Sequence, residues 1–313
     1  MLMKLLSGAL FLSSSLAFAS PCSDGTVDAA LKDKCELADA LYEKRGELYL
    51  NKDLSFDERA ANANHAIDAY KEILPQTSGA ARAYIGSKIA RSYLYIGDYL
   101  MPKSDRAPRR EYFAACQKFI ETEMNADKVG SENLQPYYYL LSSCWAFKLE
   151  MSNVFIQLRE KGALEANIYT GLRYANGNDY LGGAIRRSLA GIRSSRAAIA
   201  IGAGNVEESL AEASAALETP ENTLFNNHPL SGSDYCENYR YKAEAFVADP
   251  NSAIYSLDDA TETLEEAFSY FGVEGDYDSY EIKGLPAGFE VDTIVCVERL
   301  MNFVRDNGIE PDM

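Results

Sequence analysis

Few residues in this chain are set up for covalent chemistry. Its two histidines, His65 and His228, lie far apart and form no metal-binding pair. A helix cap or a solvent contact accounts for each. There is no Gly-x-Ser-x-Gly and no Ser-x-x-Lys, so the common settings that activate a serine are absent. Gly202-Ala203-Gly204 opens like a dinucleotide loop but lacks a third glycine and a preceding strand. Asp249-Pro250-Asn251 starts like a calcium loop, yet Ile254 stands at its glycine position and Ala260 at its bidentate-acid position, so it reads as a turn. The acidic run GDYDSYE, 275–281, offers carboxylates to a hard cation, with a solvated loop as the alternative. An acidic chain always supplies candidate carboxylate pairs for hydrolysis, and nothing singles one out. The expectation is a protein without catalytic residues, metal or cofactor.

Binding is the remaining chemistry. Tyr138, Leu141 and Trp145 share one face of a helix, and large flat aromatics so placed form either a ligand wall or ordinary core. Six cysteines, Cys22, Cys35, Cys116, Cys144, Cys236 and Cys296, contain no Cys-x-x-Cys, which weakens both zinc and thioredoxin-type readings. Their even number favours disulfides in an exported chain. Spacing alone cannot choose among the roughly 15 connectivities, and pairing of sequence neighbours is the expectation.

The leader MLMKLLSGALFLSSSLAFAS supports export: Lys4 precedes an apolar run ending in Ala17-Phe18-Ala19, a small-x-small site for cleavage after Ala19. Cys22 raises the rival reading of lipidation, against which Pro21 is a poor neighbour. No other stretch reaches about 18 uninterrupted apolar residues. With 47 acidic against 30 basic residues the net charge is -17, which argues against nucleic acid and anionic lipid as partners.

Apolar residues recur at three- and four-residue spacing almost throughout, so the chain reads as all-α, with one brief strand-like possibility at 280–282. Ser55 to Glu58 and Ser256 to Asp259 look like capped helix starts, and Gly97, Gly177, Gly204, Gly308, Pro75 and Pro220 like stops. The helices also resemble one another. Ser209, Ala213 and Ala216 recur as Ala66, Tyr70 and Ile73, as Ala115 and Phe119, and as Ala260, Leu264 and Ala267. Partner helices carry Gly46 and Tyr49, Ala90 and Tyr93, Ala243 and Phe246, while the partner of the first carries Ala197 and Ala200. This order resembles the tetratricopeptide repeat, whose stacked helix pairs form an α-solenoid. A nonrepetitive helical bundle is the alternative.

From about Leu37 to Pro220 the resemblance narrows. LADALYEKRGELY, ARSYLYIGDYLM, YYYLLSSCWAFKLEMSN and the long segment from Asn178 to Leu217 occur in one order, which looks like the T component of tetratricopeptide-associated TRAP transporters. That family's Tyr-Gly-Gly run is matched by Tyr180-Leu181-Gly182-Gly183, whereas its usual aromatic-helix motif is replaced here by Ser142-Ser143-Cys144-Trp145-Ala146. The chain is expected to divide into a signal peptide (1–19), a tetratricopeptide-like repeat domain (20–230) and a further degenerate repeat with a C-terminal capping helix (231–313), the last resembling the family only weakly. The resemblance implies a noncatalytic periplasmic protein that binds an apolar or amphipathic small molecule, docks on the TRAP solute-binding protein and forms a homotrimer. By analogy with other tetratricopeptide arrays, the concave face takes Tyr84, Ser87, Arg91 and Leu94, then Tyr138, Leu141 and Trp145, then Gly191, Ser194 and Ala198, with Tyr180 joining the ligand site. A peptide-binding tetratricopeptide adaptor and an exported hydrolase on a helical scaffold are the competing classes.

Overall fold

Local hydrogen bonds start and stop the helices where the sequence places them. The Ser55 hydroxyl accepts from the Glu58 backbone N–H at 3.3 Å and Glu58 Oε2 accepts from the Ser55 N–H at 2.9 Å, a complete capping box. Ser256 accepts from the Asp259 N–H at 3.1 Å, and Gly308 closes the last helix in the left-handed conformation. The computed structural model describes residues 22, 27–49, 51, 53–175, 180–200, 202, 204–221, 229–276, 279–286, 288–309 and 311. The leader and its cleavage site, Gly177, Ala203, His228 and the centre of the acidic run lie outside the described residues.

In chain order the helices are α1 (Lys32–Glu43), α2 (Phe56–Ile73), α3 (Gly79–Tyr95), α4 (Arg106–Glu123), α5 (Ala126–Val129), α6 (Gln135–Glu150) and α7 (Val154–Ala175). Then come α8 (Tyr180–Ser194), α9 (Arg196–Ala200), α10 (Val206–Leu217), α11 (Glu237–Val247), α12 (Leu257–Phe271) and α13 (Glu290–Asn307). Strands β1 (Val273–Asp276) and β2 (Ser279–Ile282) form one antiparallel hairpin, with Val273 opposite Ile282. Among the described residues the fold is therefore all-α apart from this hairpin, which takes up most of the expected acidic loop.

Helices pack mainly on their chain neighbours: α1 on α2, α2 on α3, α3 on α4, α4 on α6, and onward through α7, α8, α10, α11 and α12. A second set of contacts links α3 to α6, α6 to α8 and α8 to α11, so these four helices form a continuous row. The slender α10 sits between α8 and α11, burying Ser209, Ala213 and Ala216, with the Ser209 hydroxyl donating to the Ala190 carbonyl at 2.8 Å. Its partner is α8 rather than a helix through Ala197 and Ala200. The reason is Ser195, whose hydroxyl accepts from the Ala198 N–H at 3.2 Å and starts the five-residue α9 afresh.

The first turn of α8 is left-handed: Leu181, Gly182 and Gly183 have φ of 50°, 54° and 82°. A Cβ on Gly183 would lie 2.7 Å from Ala216 Cα, and one on Gly182 would lie 2.4 Å from the Ser231 carbonyl oxygen. Only glycine permits that approach, which is what the Tyr180-Leu181-Gly182-Gly183 run provides. Arg187 then takes up the freed carbonyls, donating to Gly182 and Leu181, each at 3.1 Å.

Cys22 pairs with Cys35, Cys116 with Cys144 and Cys236 with Cys296, the neighbour pairing expected. Three disulfides fit an oxidising compartment. Among the described residues no helix is long and apolar enough to cross a membrane.

Helix α13 does more than cover the end of the chain. Val297, Leu300 and Val304 pack into the core of α11 and α12. Its N-terminal half crosses to the first helices, where Val291 meets Gly46 so closely that a Cβ there would lie 2.8 Å away. Asp292 accepts from Arg45 at 3.1 Å and Glu298 from Tyr49 at 2.9 Å. The sequence reading did not anticipate this bridge.

Candidate functional site

The row of α3, α6, α8 and α11, closed by α13, encloses a charged cavity of about 100 Å3. Arg91, Leu94 and Tyr95 reach it from α3, Tyr139, Ser143 and Phe147 from α6, and Arg187 and Ser188 from α8. Tyr235, Glu237 and Tyr241 line it from α11 and its approach, Asp292 and Arg299 from α13, Arg45 from the turn after α1, and Asp98 and Tyr99 from the turn after α3. A larger chamber of about 430 Å3 adjoins it between α6, α7 and α8, with Ala146, Leu149, Leu164, Ile192 and Ala198 in its walls. Ser143, Phe147, Ser188 and Tyr241 line both spaces, which are therefore neighbours.

Four arginines and three carboxylates line the charged cavity, in a chain whose net charge is -17. Buried charges must be paired to be tolerated, and most of these are. Arg299 joins Asp98 and Glu237, both at 2.7 Å. Asp98 also meets Arg109 at 3.5 Å, whose Nε donates to the Gly97 carbonyl at 2.9 Å and holds the turn in which α3 ends. Burial raises the Glu237 carboxyl, but Arg240 and Arg299 outweigh it and hold the group down at about 2. Arg187 donates to Asn238 Oδ1 at 2.8 Å and stacks 3.8 Å over Tyr235. Asp292 is bonded to Arg45 at 3.1 Å and to the Tyr99 hydroxyl at 3.0 Å.

Arg91 differs. It is 8% exposed, its nearest counter-charge is Asp292 at 3.9 Å, and its guanidinium makes no hydrogen bond among the described residues. The side chain lines the cavity with its ion pair as its one charged contact among the described residues. The Tyr95 hydroxyl, also buried, likewise has no partner among the described residues.

The structure brings only some of the sequence candidates together. Arg91 and Leu94 line the charged cavity, and Gly191 and Ala198 line the chamber. Tyr84 is fully buried and donates to Asp39 Oδ1 at 2.8 Å, next to Tyr70 on the same oxygen. Ser87 donates to the Tyr84 carbonyl and Ser194 to the Ala190 carbonyl, both inside helices. Tyr138 stacks on Tyr174 of α7 with centroids 5.2 Å apart. The Trp145 indole donates to Glu160 of α7 at 2.8 Å. Burial raises that carboxyl, but hydrogen bonds from Arg159, Trp145 and Lys148 bring it down to about 2. Leu141 belongs to the core, and Tyr180 lies fully buried, edge-on to Tyr139. The face of α6 that meets the cavity is Tyr139, Ser143 and Phe147, one step round the helix from Tyr138, Leu141 and Trp145.

Sequence reasoning missed Arg45, Arg187, Glu237, Asp292 and Arg299, which only the tertiary fold assembles. The chain matches no family model, and no curated protein matches it.

Proposed function

We propose that the protein is an exported, noncatalytic ligand carrier: a periplasmic accessory component of a TRAP-type transporter. It holds an amphipathic small molecule within its helical array and docks on the solute-binding subunit, as a homotrimer. The continuous row of α3, α6, α8 and α11, backed by α4, α7, α10 and α12, is the arrangement a tetratricopeptide-like solenoid would have and supports that finer reading of the fold. The single observation that carries the functional reading is the adjacency of a charged cavity and a mostly apolar chamber, which share Ser143, Phe147, Ser188 and Tyr241 in their linings. Such a site suits a molecule with one polar end, in keeping with the general build of small-molecule sites, apolar walls with a few convergent polar groups.

The test is native mass spectrometry of the protein taken from its own envelope fraction. A retained small amphiphile, and co-elution with a TRAP solute-binding subunit, are the expected results. Consistent recovery of empty protein, together with no thermal shift from any amphiphile, would overturn the carrier reading. A retained peptide would turn it into the adaptor.

A further inference from the structure

We infer that the ligand is an amphipathic carboxylate, its head seated on Arg91 in the charged cavity and its tail lying in the chamber walled by α6, α7 and α8. This rests on the carrier reading above and adds the chemical class of the ligand. Arg91 lines the cavity, is 8% exposed, makes no hydrogen bond among the described residues and lies 3.9 Å from a carboxylate that Arg45 already holds at 3.1 Å, so its fork is open to an anion. An anion in the cavity would satisfy its planar fork with two parallel hydrogen bonds. Ser143, Ser188 and Tyr241 line both spaces, and Tyr95, whose buried hydroxyl has no partner among the described residues, lines the charged cavity.

Size and charge select a carboxylate among anions. The head cavity, about 100 Å3, is small beside the chamber of about 430 Å3, so head and tail are assigned without ambiguity. Asp98, Glu237 and Asp292 line the cavity too. Each is already bonded to an arginine, and they would repel a dianionic phosphate more than a single negative charge.

Isothermal titration of the whole mature protein with decanoate, decan-1-ol and decyl phosphate tests this. Decanoate is expected to bind about ten- to a hundredfold more tightly than the alcohol, the usual value of a charge-assisted hydrogen bond. Arg91→Gln should erase most of that difference, weakening decanoate far more than the alcohol, and Arg91→Lys should restore part of it. Ala146→Phe, which fills the chamber, should weaken both ligands. Equal binding of decanoate and alcohol, unaltered by Arg91→Gln, would overturn the inference and leave the carrier reading standing. A preference for decyl phosphate over decanoate would overturn the carboxylate assignment. If no alkyl ligand binds, the carrier reading falls and the inference falls with it. Unchanged circular dichroism and urea midpoints in the variants separate these outcomes from misfolding.

Discussion

The two ends of α3 each bury an arginine to the same 8% exposure, and they treat it in opposite ways. Near the N-terminus, Arg82 donates to Glu123 at 2.7 Å and to the carbonyls of Leu74 and Thr77 at 2.7 and 3.1 Å. Those bonds tie α3 to the end of α4 and to the turn after α2. Near the C-terminus, Arg91 has one counter-charge at 3.9 Å, which Arg45 already occupies at 3.1 Å. Burial is equal, so burial cannot distinguish the roles; the hydrogen bonds can. A satisfied buried cation holds elements together, whereas an unsatisfied one beside a cavity is held ready for something else.

If that contrast is sound, the largest stability loss belongs to Arg82. Arg82→Met leaves Glu123 buried with its partner gone and frees two carbonyls, so unfolding should become easier by about 3 to 5 kcal/mol. Urea denaturation measures it. A loss under 1 kcal/mol would mean that the pair at the N-terminal end is idle too, and the comparison would collapse.

Next comes the covalent tie that brings the acid wall to Arg91. Cys236 and Cys296 join the start of α11 to α13 across 60 residues, and those elements carry Glu237 and Asp292. Replacing both cysteines by serine should cost at most about 4 kcal/mol by chain entropy. The same variant should weaken anion discrimination as the wall loosens, because the positions of Glu237, Asp292 and Arg299 then depend on packing alone. A variant with reduced stability but unchanged discrimination would show that α13 is placed by its contacts with Gly46, Arg45 and Tyr49.

Glu237 gives a pH signature of the paired kind. Its carboxyl sits at about 2 in the folded chain against an ordinary value of 4.5. A depressed acid contributes stability that is fully present above about 4.5 and is lost as pH falls toward 2. The drop should be on the order of 3 kcal/mol across that window. In Glu237→Gln this part of the acid slope should vanish, as read from urea midpoints at stepped pH. An unchanged slope would move the acid sensitivity to other carboxylates.

The sequence disclosed the parts that are local. Ser55 with Glu58, Ser256 with Asp259 and Gly308 act within one turn of chain, so the helix ends they set were legible. Cys116 and Cys144 pair because α4 and α6, which carry them, pack on one another. The orientation of α6 was not legible. Tyr137, Tyr138 and Tyr139 are consecutive and point to α3, α7 and the cavity respectively. A helix that is apolar all round has no face that periodicity can pick out. The register therefore fell one residue short, on Tyr138 and Trp145, which α7 covers. The crossing of α13 was hidden for a different reason. Its contacts with Arg45, Tyr49 and Asp98 span most of the chain, and no local pattern encodes them.

The smallest stability effect is expected at Arg91 itself, and it decides the comparison. Arg91→Gln removes a buried cation that makes no hydrogen bond, which relieves a desolvation cost. Asp292 does not become an orphan, because Arg45 and the Tyr99 hydroxyl still reach it at 3.1 and 3.0 Å. The two effects oppose each other, so the urea midpoint should shift by less than about 1 kcal/mol in free energy. Binding of an anionic amphiphile should nevertheless fall about tenfold or more, since the charge-assisted bonds are lost. A variant destabilised as much as Arg82→Met would show instead that Arg91 braces Tyr42 and Phe289, over whose rings it sits at 5.7 and 5.3 Å. The C-terminal end of α3 would then be structural like its N-terminal end, and the cavity would have no cation to offer a ligand from that helix.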